Sequence, residues 1–186
     1  MLNMSFGRQG RVVVVMHTAN AASAAEWSAS LEMVASTVGE VRRAPLAVTS
    51  LVFTDGAAPS AEQRRSFVDR VGTVRFQTSV ITASRLTRGI VTALSWFTPG
   101  VRAWDPDDVN AIVQHAGMGS HDLSVTMTLA AQLAAAVGGF SVYDRFAAGL
   151  AKRDVSWSEH EEHRAPTTRS TGDGGRLAVS ADAGRR

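Results

Sequence analysis

One stretch of the chain, residues 73–97, decides the fold class, and it reads TVRFQTSVITASRLTRGIVTALSWF. Its first nine residues alternate apolar and polar side chains, which predicts a β-strand with one buried face. After a polar turn, apolar side chains recur at helical spacing from residue 85 to residue 97, which predicts an amphipathic helix. The core-facing stripe of this helix is predicted to comprise Leu86, Ile90, Ala93, Leu94 and Phe97. The stretch is therefore a strand–turn–helix unit of an α/β fold.

Three residues of this predicted helix need a separate explanation. Gly89 lies in its interior, where glycine costs roughly 1 kcal/mol relative to alanine, and we expect the close approach of a neighbouring backbone to compensate. Val91 and Trp96 fall beside the stripe, and neither is needed to cover a sheet face. We predict that Val91 and Trp96 belong to an interface, formed together with the uncharged segment 123–137, for a protein partner or a homodimer.

Strand-like segments alternate with helical patterns along most of the chain. Further strands are predicted at 11–16, 46–53 and 101–104, with helices between them and after them. This alternation predicts an α/β fold with a mostly parallel four-stranded sheet and right-handed crossovers. The expected organisation is an N-terminal extension at 1–10, a single α/β domain at 11–152 and a disordered tail at 153–186, where large apolar residues are scarce.

The composition narrows the classes of function. The chain has 186 residues, of which 19 are basic and 17 acidic, and the basic residues form no run, so we expect no nucleic-acid partner. The absence of cysteine excludes disulfides, a thiol nucleophile and a cysteine-based zinc site, and it fits the cytoplasmic location that we predict. Residues 123–140 carry no charge but are rich in alanine and contain polar side chains, which favours a buried or partner-facing helix over a membrane span.

Polar side chains follow the predicted strands at the edge of the sheet where ligands bind in open parallel folds. The candidate ligand-binding residues at this rim are His17, Asp55, Ser84, Arg85 and Arg88. Arg85 and Arg88, in the first turn of a helix, are suited to hold an anion. Turns and caps use the same residue types for local hydrogen bonds, and we favour that explanation. No catalytic residue, metal site or cofactor is predicted, since the Gly-x-Ser-x-Gly pattern that would support a Ser84–His17–Asp55 triad is absent.

Two short runs, LVFTDG at 51–56 and LTRGIVTALSWF at 86–97, resemble a group of poorly characterised bacterial proteins. These are the STAS-like proteins of the anti-sigma-factor-antagonist superfamily, which is also compared with Sec14-like lipid-binding domains. The resemblance spans residues 11–139 and implies a two-layer or three-layer α/β sandwich without enzymatic activity. Signalling members carry a phosphorylatable serine after an aspartate, whereas residues 55–58 read DGAA. Such domains also usually open with a strand pair, and a single strand is predicted here.

Two classes of function follow from these observations. We favour a non-enzymatic regulatory or protein-interaction module of STAS-like type, because no catalytic constellation is found. The alternative is a small-ligand or anion-binding domain, or a small enzyme, that uses the polar rim. A pocket with convergent polar groups would favour the alternative, and an exposed apolar helix face would favour the interaction module.

Overall fold

The computed structural model describes residues 2–41, 48–56, 59–71, 76–96 and 100–162. Five strands lie in these ranges: β1 (Met4–Gln9), β2 (Val12–His17), β3 (Val48–Thr54), β4 (Phe76–Ile81) and β5 (Val101–Trp104). The helices in the same ranges are α1 (Ala24–Val41), α2 (Ala61–Val71), α3 (Arg85–Ser95), α4 (Val109–Ala116), α5 (Ser120–Ala136) and α6 (Ser141–Glu162). The α/β class predicted from the sequence is confirmed.

The strands form one mixed sheet in the order β1-β2-β3-β4-β5. Strands β2 to β5 are parallel, and β1 pairs with β2 in the antiparallel sense. The prediction of a four-stranded sheet was therefore wrong, because residues 4–9 of the expected N-terminal extension supply an edge strand. Gly10 makes the tight reversal between β1 and β2 with a φ of 55°, a conformation that glycine adopts without steric cost.

Helices cover both faces of the sheet, giving three layers. Crossovers between parallel strands of one sheet are right-handed in nearly all proteins. Because β2 to β5 are neighbours in sequential order, right-handed crossovers place α1, α2 and α3 on the same face of the sheet. Of these, α1 packs on β1 and β3, α2 packs on α1, and α3 packs on β5. On the opposite face, α4 packs on β3 and β4, α5 on β1 and β2, and α6 on β3. The two layers are called the α1–α3 layer and the α4–α6 layer below.

The larger core cluster lies between the sheet and the α4–α6 layer. Phe53 of β3 stands at its centre, with edge-to-face ring contacts to Tyr143 at 5.8 Å and Phe146 at 5.5 Å between centroids. The cluster beneath the α1–α3 layer is smaller and consists of the buried residues Val13, Val34, Val38 and Val48, with Phe67 packed at its margin. Most of the apolar burial in the described chain therefore comes from the α4–α6 side.

Helix α5 agrees with the buried helix expected for the uncharged segment, whereas α6 extends further than expected. The uncharged segment forms α5, which buries Leu123, Thr126, Ala130 and Ala134 against the sheet. No helix in the described ranges is both long enough and apolar enough to cross a membrane.

Helix α6 continues to Glu162, past residue 153, where the disordered tail was predicted to begin. Residues 163–186 of that tail lie outside the described residues.

Candidate functional site

The carboxyl ends of the parallel strands bring the predicted rim residues to one edge of the sheet. His17 and Thr54 are register partners, and the Asp55 N–H donates to the His17 carbonyl oxygen at 3.2 Å. The Asp55 side chain is exposed, although partial desolvation raises the pKa of its carboxyl group. His17 is buried. Topology alone therefore places these two residues side by side.

Ser84 serves as a cap for α3. Its hydroxyl oxygen accepts a hydrogen bond from the Thr87 N–H at 3.2 Å and lies 3.0 Å from the Thr87 hydroxyl. Its carbonyl oxygen accepts from the Arg88 N–H at 3.0 Å. These are the local hydrogen bonds that serine ordinarily makes at a helix start, and the Ser84 hydroxyl is committed to the helix.

The two arginines of the first turn have different surroundings. Arg88 donates to the Thr82 carbonyl oxygen at 2.7 Å and to Asp105 Oδ2 at 2.8 Å. Arg145 of α6 reaches the other carboxylate oxygen of Asp105 at 3.0 Å. The charge of Arg88 is therefore compensated within the chain, and its side chain ties α3 to the end of β5. Arg85 is exposed.

Helix α3 exposes the described large apolar residues of the predicted stripe. Leu86 is 76% exposed and Ile90 is 46% exposed, whereas Thr87 between them is only 8% exposed. Arg88 and Val91 are half-buried on the inward side. The predicted inward position of Leu86, Ile90 and Ala93 was therefore wrong, and the side chains of Leu94 and Phe97, the other members of that stripe, lie outside the described residues. The Arg88 side chain, bonded to Thr82 and Asp105, holds its own side of the helix toward the end of β5.

The outward side of α3 is a continuous apolar surface, which we name the α3 face. It comprises Leu86, Gly89, Ile90, Ala93 and Trp96, all of them exposed, with Trp96 at 78%. Among the described residues, none lies within 4 Å of a Cβ atom added to Gly89, so the described part of the chain does not make the close backbone approach expected there. Trp96 thus lies where the interface prediction needs it, whereas Val91 lies on the inward side.

The predicted combination of α3 with the uncharged segment does not form one surface. Helix α5 packs on β1 and β2, and α3 packs on β5 at the other edge of the sheet. The two helices also belong to different layers. A partner that covers the α3 face therefore does not cover α5 at the same time.

A second polar region lies between β4, β5 and α4. Ser79 Oγ and His115 Nδ1 are 2.8 Å apart, and burial together with the charge of Arg102 lowers the pKa of His115. Ser79 is completely buried, so its hydroxyl has no access to a substrate and the pair joins β4 to α4. The pair is 36 residues apart in sequence, and no local spacing could have indicated it.

This pair borders an open cavity of about 300 Å³, lined by Gln77, Arg102, Trp104, Ala111, Gln114 and His115. The Trp104 and His115 rings lie 5.6 Å apart and tilted by 57°. Among the described residues, no group of three histidine or acidic side chains is arranged to hold a metal ion. Most of the residues that line the cavity are polar, and the cavity lies beside the edge strand β5.

No family model, curated protein or solved structure matches this chain. The functional argument consequently depends on the geometry just described. Two features carry chemical information: the polar rim, where Ser84 and Arg88 have partners within the chain, and the α3 face, where large apolar side chains meet solvent.

Proposed function

We propose that this protein is a non-enzymatic regulatory or protein-interaction module of STAS-like type that binds its partner through the α3 face. The observation that carries the proposal is the exposure of Leu86 and Trp96, both more than three-quarters exposed, on a helix whose other side is anchored to the sheet. Side chains of this size are worth about 1.5–3 kcal/mol each when fully buried. A partner that covers them gains that free energy.

Contiguous apolar patches on the surface of a monomer mark interaction sites more often than they occur without a role. The α3 face meets this description because its exposed side chains lie along one side of α3 and on Trp96, the residue that follows the helix. Arg88, which bonds Thr82 and Asp105 on the other side of the helix, holds the α3 face outward, so the patch is part of the folded structure. A rigid, preorganised surface of this kind lowers the entropy cost of binding.

The antiparallel pair β1–β2 supports the STAS-like part of the proposal. Domains of that type usually open with a strand pair, and the single strand predicted from the sequence was one of two departures from that pattern. The absence of a serine in residues 55–58 still argues against a phosphorylation switch at that position. A cytoplasmic location remains a prediction.

The small-ligand alternative receives less support from the rim. An anion at the start of α3 would need Arg88, but Asp105 already holds that guanidinium. The Ser84 hydroxyl is likewise engaged in capping. Arg85 alone, exposed at the helix start, does not make a built anion site.

The test uses Leu86→Glu as the surface variant and Val68→Glu as its matched control. Val68 is 65% exposed on α2, so both substitutions place a carboxylate on an exposed helix position. We expect both variants to keep the wild-type melting temperature. Each variant is immobilised and exposed to host extract or to a solution of the free wild-type chain. Only Leu86→Glu should fail to retain the proteins that the immobilised wild type retains in these two assays. Equal retention by wild type and Leu86→Glu would refute the role of the α3 face.

A further inference from the structure

We propose that the α3 face binds a second copy of this chain, with two α3 helices packed antiparallel about a twofold axis at Gly89. This inference rests on the proposed function and names the partner. Isologous twofold dimers are the commonest oligomers, and in them the same patch serves both subunits. The argument has three parts: the glycine, the charge of Arg85 and the size of the face.

Gly89 identifies where the two helices cross. Glycine destabilises a helix interior, and no residue in the described ranges lies within 4 Å of a Cβ atom placed on Gly89. Ala93 lies one turn further along the same face, so the backbone is open to close approach over this whole turn. Leu86 and Ile90 flank the glycine and are exposed. A second helix crossing at Gly89 would fill the space in front of the glycine and bury both flanking side chains.

Arg85 sets the direction of the second helix. It lies in the first turn of α3, where the positive end of the helix dipole disfavours a cation, and no basic residue lies in the last turn. A parallel partner would bring two Arg85 side chains together. An antiparallel partner places each Arg85 beside the carboxyl end of the other α3, where the dipole favours a positive charge. The charge distribution of α3 is thus complementary to an inverted copy of itself.

The size of the face determines how strong the dimer is. An 11-residue helix is about 16 Å long, so a single crossing buries less than the roughly 800 Å² per partner of a standard interface. We therefore expect a reversible dimer that forms in the micromolar range. Sedimentation velocity of the full-length chain from low micromolar to near-millimolar concentration is the appropriate measurement.

Gly89→Ala gives the sharpest test because the monomer and the dimer respond in opposite directions. The added methyl group has open space in the monomer and improves the helix, so the melting temperature at low concentration should rise by a few degrees. In the dimer it separates the two backbones, and the dissociation constant should increase at least tenfold. Gly39→Ala is the matched control, since Gly39 is an exposed glycine in α1 with nothing within 4 Å; it should stabilise the monomer and leave the dimer unchanged.

Orientation is tested by disulfide cross-linking, because the chain contains no cysteine of its own. A crossing at Gly89 brings position 85 of one copy beside position 93 of the other when the helices are antiparallel. A mixture of Arg85→Cys and Ala93→Cys chains should then cross-link as a heterodimer, while Ala93→Cys alone should remain uncross-linked. Ala93→Cys homodimers would overturn the antiparallel arrangement.

The remaining outcomes separate this inference from the proposed function. A chain that stays monomeric over the whole concentration range overturns self-association. If Leu86→Glu still abolishes retention of another host protein in that case, the α3 face remains an interaction surface with a different occupant. A dimer that Gly89→Ala leaves unchanged or strengthens overturns the crossing at Gly89.

Discussion

The α4–α6 layer turns apolar side chains toward the sheet, whereas α3, in the α1–α3 layer, turns Thr87, Arg88 and Val91 inward and leaves larger apolar side chains exposed. Phe146 and Val142 of α6 and Ile112 of α4 are buried in the larger core. On α3, Thr87 is buried and Leu86 is exposed. The α4–α6 layer is held by burial of apolar surface. Helix α3 is tied to the strand ends by the hydrogen bonds and the ion pair of Arg88. That difference leaves the apolar surface of α3 for a partner.

The contrast shows what helical periodicity does and does not determine. A repeat of apolar residues correctly located α3 and its apolar side, but it carries no information on whether that side meets the core or a partner. The choice depends on Asp105 and Thr82, which hold Arg88 and lie outside the helix. Only the tertiary structure brings these residues together, so periodicity alone led to the wrong orientation.

The largest expected effect comes from the larger core. Phe146→Ala removes a fully buried ring that packs on Phe53, and substitutions of this kind lower the free energy of unfolding by about 3–5 kcal/mol. Phe67→Ala is the matched substitution in the α1–α3 layer, where the ring is only partly buried, and we expect a loss of about 1–2 kcal/mol. Urea denaturation measures both losses. Equal losses would mean that the two layers contribute equally to the free energy of unfolding.

An intermediate effect is expected where α3 is anchored. Asp105→Asn removes the charge that holds both Arg88 and Arg145, and the free energy of unfolding should fall by about 1–2 kcal/mol. Amide exchange in α3 should accelerate more than in α4, because the anchor acts on α3. Asp107→Asn is the control, since this exposed carboxylate also pairs with Arg145, and its loss should lower the free energy of unfolding less than Asp105→Asn does. Similar exchange of α3 in both variants would exclude Asp105 as its anchor.

Much of the fold was predictable because each parallel strand precedes a helix with its own start and stop signals. The Ser-x-x-Gln pattern at 60–63, for example, forms a capping box at the start of α2, with bonds of 2.7 and 3.1 Å between Ser60 and Gln63. Strand β1 was missed because Gly7 and Arg8 interrupt its apolar pattern. Gly7 is there for a nonlocal reason: a Cβ atom at that position would lie 2.8 Å from Leu129 of α5.

The candidate site divides in the same way between local and nonlocal causes. The rim residues were placed at one edge correctly, because strand ends in a parallel sheet share that edge. The ion pair of Arg88 with Asp105 could not be predicted, since it joins residues 17 positions apart in different elements. The exposure of Trp96 agrees with its position beside the predicted core stripe, which the spacing of residues within the helix is enough to show.

The smallest expected effect lies at the start of α1 and concerns Glu26. Glu26 forms a capping box with Ser23, and its carboxylate also accepts from the N–H groups of Asn3 and Met4, which join α1 to the start of β1. The sequence contains the Ser-x-x-Glu signal for this box at residues 23–26. These hydrogen bonds, chiefly those with Ser23, lower the pKa of Glu26 to about 2 from an ordinary value of 4.5.

A carboxyl group whose pKa is lower in the folded state stabilises the fold above its unfolded pKa and loses that contribution as the pH falls through the folded pKa. The contribution of Glu26 should therefore be complete above about pH 5 and lost between pH 4.5 and pH 2. Glu26→Gln should lower stability slightly at neutral pH and approach the wild type at pH 2, with urea midpoints as the measurement. A constant difference between the two proteins across that pH range would show that the charge of Glu26 has no part in holding β1 to α1.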